Sequence, residues 1–178
     1  LGPPDAGSGS EVWGRQRGGV RMLSAKELAA NPDKCRDKAY GALAGLAIGD
    51  SFGDASRTEA NHFRFGITMD FTDEDSWSTD DTEFALLTAE ALIAGRGVLT
   101  SDLVLDIWKR YVVDQTEFHR GGSSEIEAAV NIRRGLTPPY TGMYNAYHLS
   151  DGAAMRAAPI GIAAAGDPER AGALAAVD

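Results

Sequence analysis

The sequence predicts an all-α protein on three observations. Apolar residues recur at helical spacing in block after block, Ala-rich stretches favour helix, and no segment alternates apolar and polar residues as a half-buried strand would. The first block runs from about Pro32 to Phe52, with Tyr40, Leu43, Ala44 and Ala47 in helical register and Asn31 or Asp33 placed to cap its start. Gly41, Ala42, Gly45 and Gly49 form a face almost without side chains. Each glycine costs about 1 kcal/mol in a helix interior relative to alanine, so this face predicts close approach by another helix or by a ligand. From Asp54 to Trp77 the pattern gives way to a polar loop with short extended pieces such as Phe63-Arg64-Phe65. A connection of that length inside a compact domain is commonly a lid or binding loop.

Helical spacing then returns. Thr79 to Ala94 carries Phe84, Leu86, Leu87, Ala91 and Leu92. Thr100 or Ser101 caps a helix reaching about Asp114, with Leu103, Ile107, Trp108 and Val112 on it. Ser123 or Ser124 starts another that runs through Arg134. Gly152 to Ala165 is apolar nearly all round, which reads as one buried helix. Asp167-Pro168-Glu169 supplies an N-cap, a first-turn proline and an acid at the head of a last helix.

Residues 1–22 are rich in Gly, Pro and Ser without an apolar period and read as a disordered tail or an artificial leader, with Met22 as a natural start. Residues 23–178 read as one domain, long enough to bury a core without disulfide or metal staples. The chain stops at Asp178 without a C-cap or polar tail, so the domain reads as cut, with further polypeptide needed to complete it. A formal net charge of −9 and the lack of a Lys/Arg cluster with interleaved aromatics argue against nucleic-acid binding. No apolar run approaches a membrane span, and Cys35 stands alone, which excludes an internal disulfide and fits a reducing, cytoplasmic setting. Near a helix start and after Lys34, its thiol reads as a spectator.

The strongest chemical signal is Trp77-Ser78-Thr79-Asp80-Asp81-Thr82-Glu83 at a loop-to-helix junction. Acids in a first turn are favoured by the helix dipole, and Ser78 or Thr79 can satisfy the free N–H groups there. Successive residues point about 100° apart, so Asp80, Asp81 and a hydroxyl fan out from one turn, an arrangement that suits a hard cation such as Mg²⁺. An ordinary acidic cap is the structural alternative. His62, His119 and His148 carry no motif, and His148 lies nearest the segment discussed next.

Three landmarks occur in order over about residues 36 to 166: Gly49-Asp50-Ser51-Phe52-Gly53, Ser78-Thr79-Asp80-Asp81-Thr82, and Gly152-Ala153-Ala154-Met155-Arg156-Ala157-Ala158-Pro159. Together they resemble the N-terminal part of the ADP-ribosylglycohydrolases. The resemblance implies an orthogonal multi-helix bundle and a metal-dependent hydrolase that cleaves a glycosidic bond at the ribose of an ADP-ribosyl group, on a protein or a small molecule. It implies Thr79, Asp80 and Asp81 as ligands in a two-Mg²⁺ site, with Mn²⁺ as the alternative ion, and Asp80 and Asp81 as the catalytic acids. It further implies that Asp151, Gly152, Ala153 and Met155 line the ligand pocket, with the turn at Gly121, Gly122 and Ser123 beside the same cleft. Two positions depart from the family pattern. Arg57 stands where the family places a glutamate, with Glu59 two residues on, and Ser150-Asp151-Gly152 replaces a common Gly-Asn-Gly. A catalytically inactive ADP-ribose-binding protein is therefore the second reading, and a purely structural helical domain the third.

Overall fold

A computed structural model describes residues 23–57, 63, 78–115, 121–146 and 149–178. Among them every regular element is a helix and none is a strand. Helix α1 (Ala25–Ala29) opens with a capping box in which the Glu27 N–H donates to Ser24 Oγ at 3.3 Å and the Ser24 N–H donates to Glu27 Oε2 at 3.0 Å. Helix α2 (Pro32–Arg57) is capped by Asn31, whose Oδ1 accepts the Lys34 N–H at 3.2 Å. It takes in Asp54–Arg57, the beginning of the stretch expected to be loop, since those four residues contain no breaker and adding a residue to an existing helix is cheap. Cys35 is half-buried and donates its thiol to the Leu28 carbonyl oxygen at 3.0 Å.

The core lies further on. Helix α3 (Asp80–Ala94) packs against α4 (Ser101–Trp108), and α4 runs on as a π-helical turn over Lys109–Val113 where a plain α-helix to Asp114 was expected. Phe84, Ile107 and Val112 are fully buried, and the Phe84 and Trp108 rings meet at a centroid distance of 5.0 Å. Burial of each such side chain stabilises by about 1.5–3 kcal/mol. Thr100 caps α4 by accepting the Leu103 N–H at 3.2 Å. Helix α5 (Ser123–Arg133) starts at Ser123, one of the two expected positions, with Gly122 as its N-cap residue. A short α6 (Tyr140–Met143) leads to the final group.

The segment 152–165 is two helices, not one. Helix α7 (Gly152–Met155) ends at Arg156, and α8 (Ala158–Ala163) starts with Pro159 in its first turn. Proline has no N–H, and its ring crowds the carbonyl four residues back, so a continuous helix through 159 is not available. Burial is also one-sided: Gly152, Met155, Pro159 and Ile160 are buried, while Ala153, Ala154 and Gly161 are exposed. Helix α9 (Pro168–Ala175) begins as expected, with Asp167 Oδ1 accepting the Arg170 N–H at 3.0 Å.

Helix α2 lies against α3 and α8. Its glycine face does not mark a tight crossing among the described residues, because a Cβ placed at Gly41, Gly45, Gly49 or Gly53 would meet nothing within 4 Å. Instead Gly45, Gly49 and Gly53 line an open hollow of about 430 Å³ whose other wall holds Thr79 and Asp81. No helix among the described residues is long and apolar enough to cross a membrane. Residues 1–22, the loop around Phe63-Arg64-Phe65 apart from Phe63 itself, Glu59 and the three histidines lie outside the described residues, as does the Arg57 side chain.

Candidate functional site

The start of α3 is held by an acid from α2. Thr79 is the extended N-cap residue, but its own side chain makes no capping hydrogen bond. Asp50 supplies the cap from across the interface. Its Oδ2 accepts the N–H groups of Thr79 at 2.7 Å and Thr82 at 3.2 Å, together with the Thr82 hydroxyl at 2.6 Å, while Oδ1 accepts the Thr79 hydroxyl at 2.5 Å. Burial alone would push the Asp50 carboxyl up, but these four bonds outweigh it and hold the group below the usual carboxylate range. Asp50 appears in the first sequence landmark but was not among the expected site residues. The signal available was its place in that landmark, Gly49-Asp50-Ser51-Phe52-Gly53.

Asp80 and Asp81 diverge as their spacing requires. Asp80 turns inward, 8% exposed, and its Oδ2 accepts the Gly122 N–H at 3.0 Å, tying α3 to the head of α5. Asp81 faces outward into both the glycine-lined hollow and a second cleft of about 580 Å³. Its carboxyl is pushed up, first by burial and then by the charges of Asp50, Asp80 and Asp151. Among the described residues no ion pair involves any of these four acids. No three His, Cys, Asp or Glu side chains among them form a ready-made metal cage. The expected ligand trio holds two acids and a hydroxyl.

The 580 Å³ cleft brings together Asp80, Asp81, Gly122, Ser123, Asp151 and Met155. Gly152 and Ala153 face instead a neighbouring apolar cavity of about 440 Å³ beside Trp108. The two spaces share a wall made by Ser124, Glu125 and Ser150. There the Ser124 hydroxyl donates to Glu125 Oε1 at 2.7 Å and lies 2.9 Å from the Ser150 hydroxyl, and Asn145 Nδ2 donates to the Ser124 carbonyl oxygen at 2.6 Å. Backbone donors of the third landmark are largely committed: Gly152 N–H to Ser150 Oγ at 3.3 Å, Ala154 N–H and Met155 N–H to the Asp151 carbonyl at 2.7 and 3.0 Å. Arg156 turns away from the acidic cleft. Its guanidinium lies over the Trp108 ring at 5.6 Å and donates to Asp178 Oδ2 at 2.6 Å, both side chains being largely buried. Sequence reasoning missed Glu125, a 5% exposed acid whose burial depends on distant segments.

An all-helical fold with an acidic cleft at the head of one helix defines the class. Residues 31–178 match the family model for ADP-ribosylglycohydrolase, and the chain belongs to that family. Membership makes it a hydrolase of the ADP-ribosylglycohydrolase type. Comparisons with curated proteins and with solved structures each found no significant match.

Proposed function

We propose that the protein is a Mg²⁺-dependent hydrolase of the glycosidic bond at the ribose of an ADP-ribosyl group, carried by a protein or a small molecule in the cytoplasm. The observation that supports this reading best is the crowding of Asp50, Asp80, Asp81 and Asp151, where burial first and then the charges of the other three acids raise the Asp81 carboxyl, with no basic side chain among the described residues paired to any of them. A divalent ion balances such a cluster, and the donors suit one. Thr79 gives its proton to Asp50 and keeps its lone pairs. Asp80 commits only Oδ2, to Gly122, leaving Oδ1. Thr79 Oγ1, Asp80 Oδ1 and the Asp81 carboxylate would hold the metal, two Mg²⁺ ions or Mn²⁺ in their place. When bound, such an ion orients hydroxyls and lowers the pKa of water.

The chain's own residues do the rest. Asp50 fixes the first turn of α3, and the Gly122 N–H fixes Asp80. Asp81 orients the attacking water and takes a proton from it as its oxygen bonds to the ribose carbon. The bond to the leaving group breaks, and that group departs with the proton that Asp81 took from the water, passed on through solvent, which leaves Asp81 ionised again. Asp151, Gly122, Ser123 and Met155 line the space for the sugar, with Gly152 and Ala153 behind them.

The test combines metal binding and turnover. Mg²⁺ should raise the thermal midpoint of the protein and support release of ADP-ribose from a modified substrate, and Asp80→Ala with Asp81→Ala should abolish both. A Mg²⁺ response that survives in the double variant would remove the metal assignment.

A further inference from the structure

Glu125 is the cleft acid to which the proposed reaction gives no part. It stands in the first turn of α5, 5% exposed, on the wall between the acidic cleft and the apolar cavity. Ser124 donates to Oε1. Among the described residues no hydrogen-bond donor reaches Oε2 and no cation pairs with the carboxylate. A buried carboxylate oxygen without a donor lowers stability.

The backbone is cleared to keep it there. A Cβ at Gly122 would come 2.6 Å from Oε2, and one at Gly152 would run into Oε1. Glycine at both positions is a condition for the carboxylate's place, and the two backbones keep it from swinging aside. Oε2 lies on the side of Gly122 and Asp80, towards the acidic cleft. The ionisable side chains lining that cleft are Asp80, Asp81, Asp151 and Glu125 itself, with no basic one among the described residues. Such a place attracts an O–H or N–H donor.

We propose that Glu125 is a substrate-binding residue whose Oε2 accepts a hydrogen bond from an O–H or N–H donor of the ADP-ribosylated substrate. The donor is either a ribose hydroxyl or an N–H of the group being released. The inference rests on the cleft being the ADP-ribosyl site.

The test is Glu125→Gln in the complete protein with Mg²⁺ present. The amide keeps the volume and the acceptor for Ser124, and it puts a donor where Oε2 was. ADP-ribose affinity by calorimetry should fall about tenfold or more, the usual size for one charge-assisted bond, with the thermal midpoint and its Mg²⁺ response retained. That result assigns the ribose hydroxyl. Unchanged ADP-ribose affinity with a similar rise in KM for an ADP-ribosylated substrate assigns the released group. Unchanged values in both assays overturn the proposal, whatever the thermal midpoint. Should Glu125→Gln not fold, Glu125→Asp retracts the oxygen while keeping the charge, and the same two assays decide. A wild-type protein that neither binds ADP-ribose nor turns over a modified substrate refutes the function itself, and this role with it.

Discussion

Replacing Asp50 tests how the acidic corner is held. Asp50→Ala removes the acceptor of four hydrogen bonds at once and strands two N–H groups at the head of α3. Loss of an N-cap acceptor costs about 0.5–2 kcal/mol. Bonds to a charged acceptor are worth more, about 1.5–3 kcal/mol each, but this carboxylate is only partly buried, so water replaces much of what is lost. The two threonine hydroxyls can also rotate to solvent. A net destabilisation of about 2–3 kcal/mol follows. Asp50→Asn keeps an oxygen for the Oδ2 bonds and loses mainly the charge, so it should cost about 1 kcal/mol. Urea unfolding at neutral pH measures both. The sign with pH is fixed by the direction of the shift. A carboxyl held low in the folded state contributes stability above its unfolded pKa of about 3.9, and that contribution is lost as pH falls through the folded value. The gap between wild type and Asp50→Ala should therefore narrow below about pH 4. A gap under about 0.5 kcal/mol at pH 7, or one that widens with acid, would refute the reasoning.

Asp81 should behave oppositely. Its raised carboxyl penalises the folded state above the unfolded pKa, so Asp81→Asn in Mg²⁺-free buffer at pH 7 should stabilise by a few tenths of a kcal/mol to about 1 kcal/mol, and the gain should vanish in acid. Chemical denaturation with and without Mg²⁺ checks this, since added Mg²⁺ should then favour wild type. Phe84→Ala should cost about 3–5 kcal/mol, because Phe84 is fully buried against Trp108; a loss under about 1 kcal/mol would show that the pair is not at the core.

What the sequence made legible was local. The caps at Thr100 and Asp167 were readable because donor and acceptor lie three residues apart. So was the divergence of Asp80 and Asp81, a matter of helix geometry alone. The Asp50 bonds to Thr79 and Thr82 span 29 and 32 residues and follow no periodic pattern. Glu125 was unreadable for the same reason: its burial needs Gly152, which comes to it from across the fold. Over 152–165 the unbroken apolar composition hides the break, whereas the backbone obeys Pro159. The glycine face of α2 was visible, but a row without side chains marks a close contact and an open hollow equally well.

None of the described side chains of α2 is fully buried, and the helix reaches the head of α3 through the carboxylate of Asp50. Few buried apolar contacts place an element at the low end of local stability. Undocking of α2 would remove the acceptor that organises Thr79 and Thr82 while leaving the Phe84–Trp108 contact in place. An ion seated at Thr79 and Asp81 would sit on a turn that the docked Asp50 arranges. Under the proposed metal assignment, ion occupancy and helix docking would favour each other.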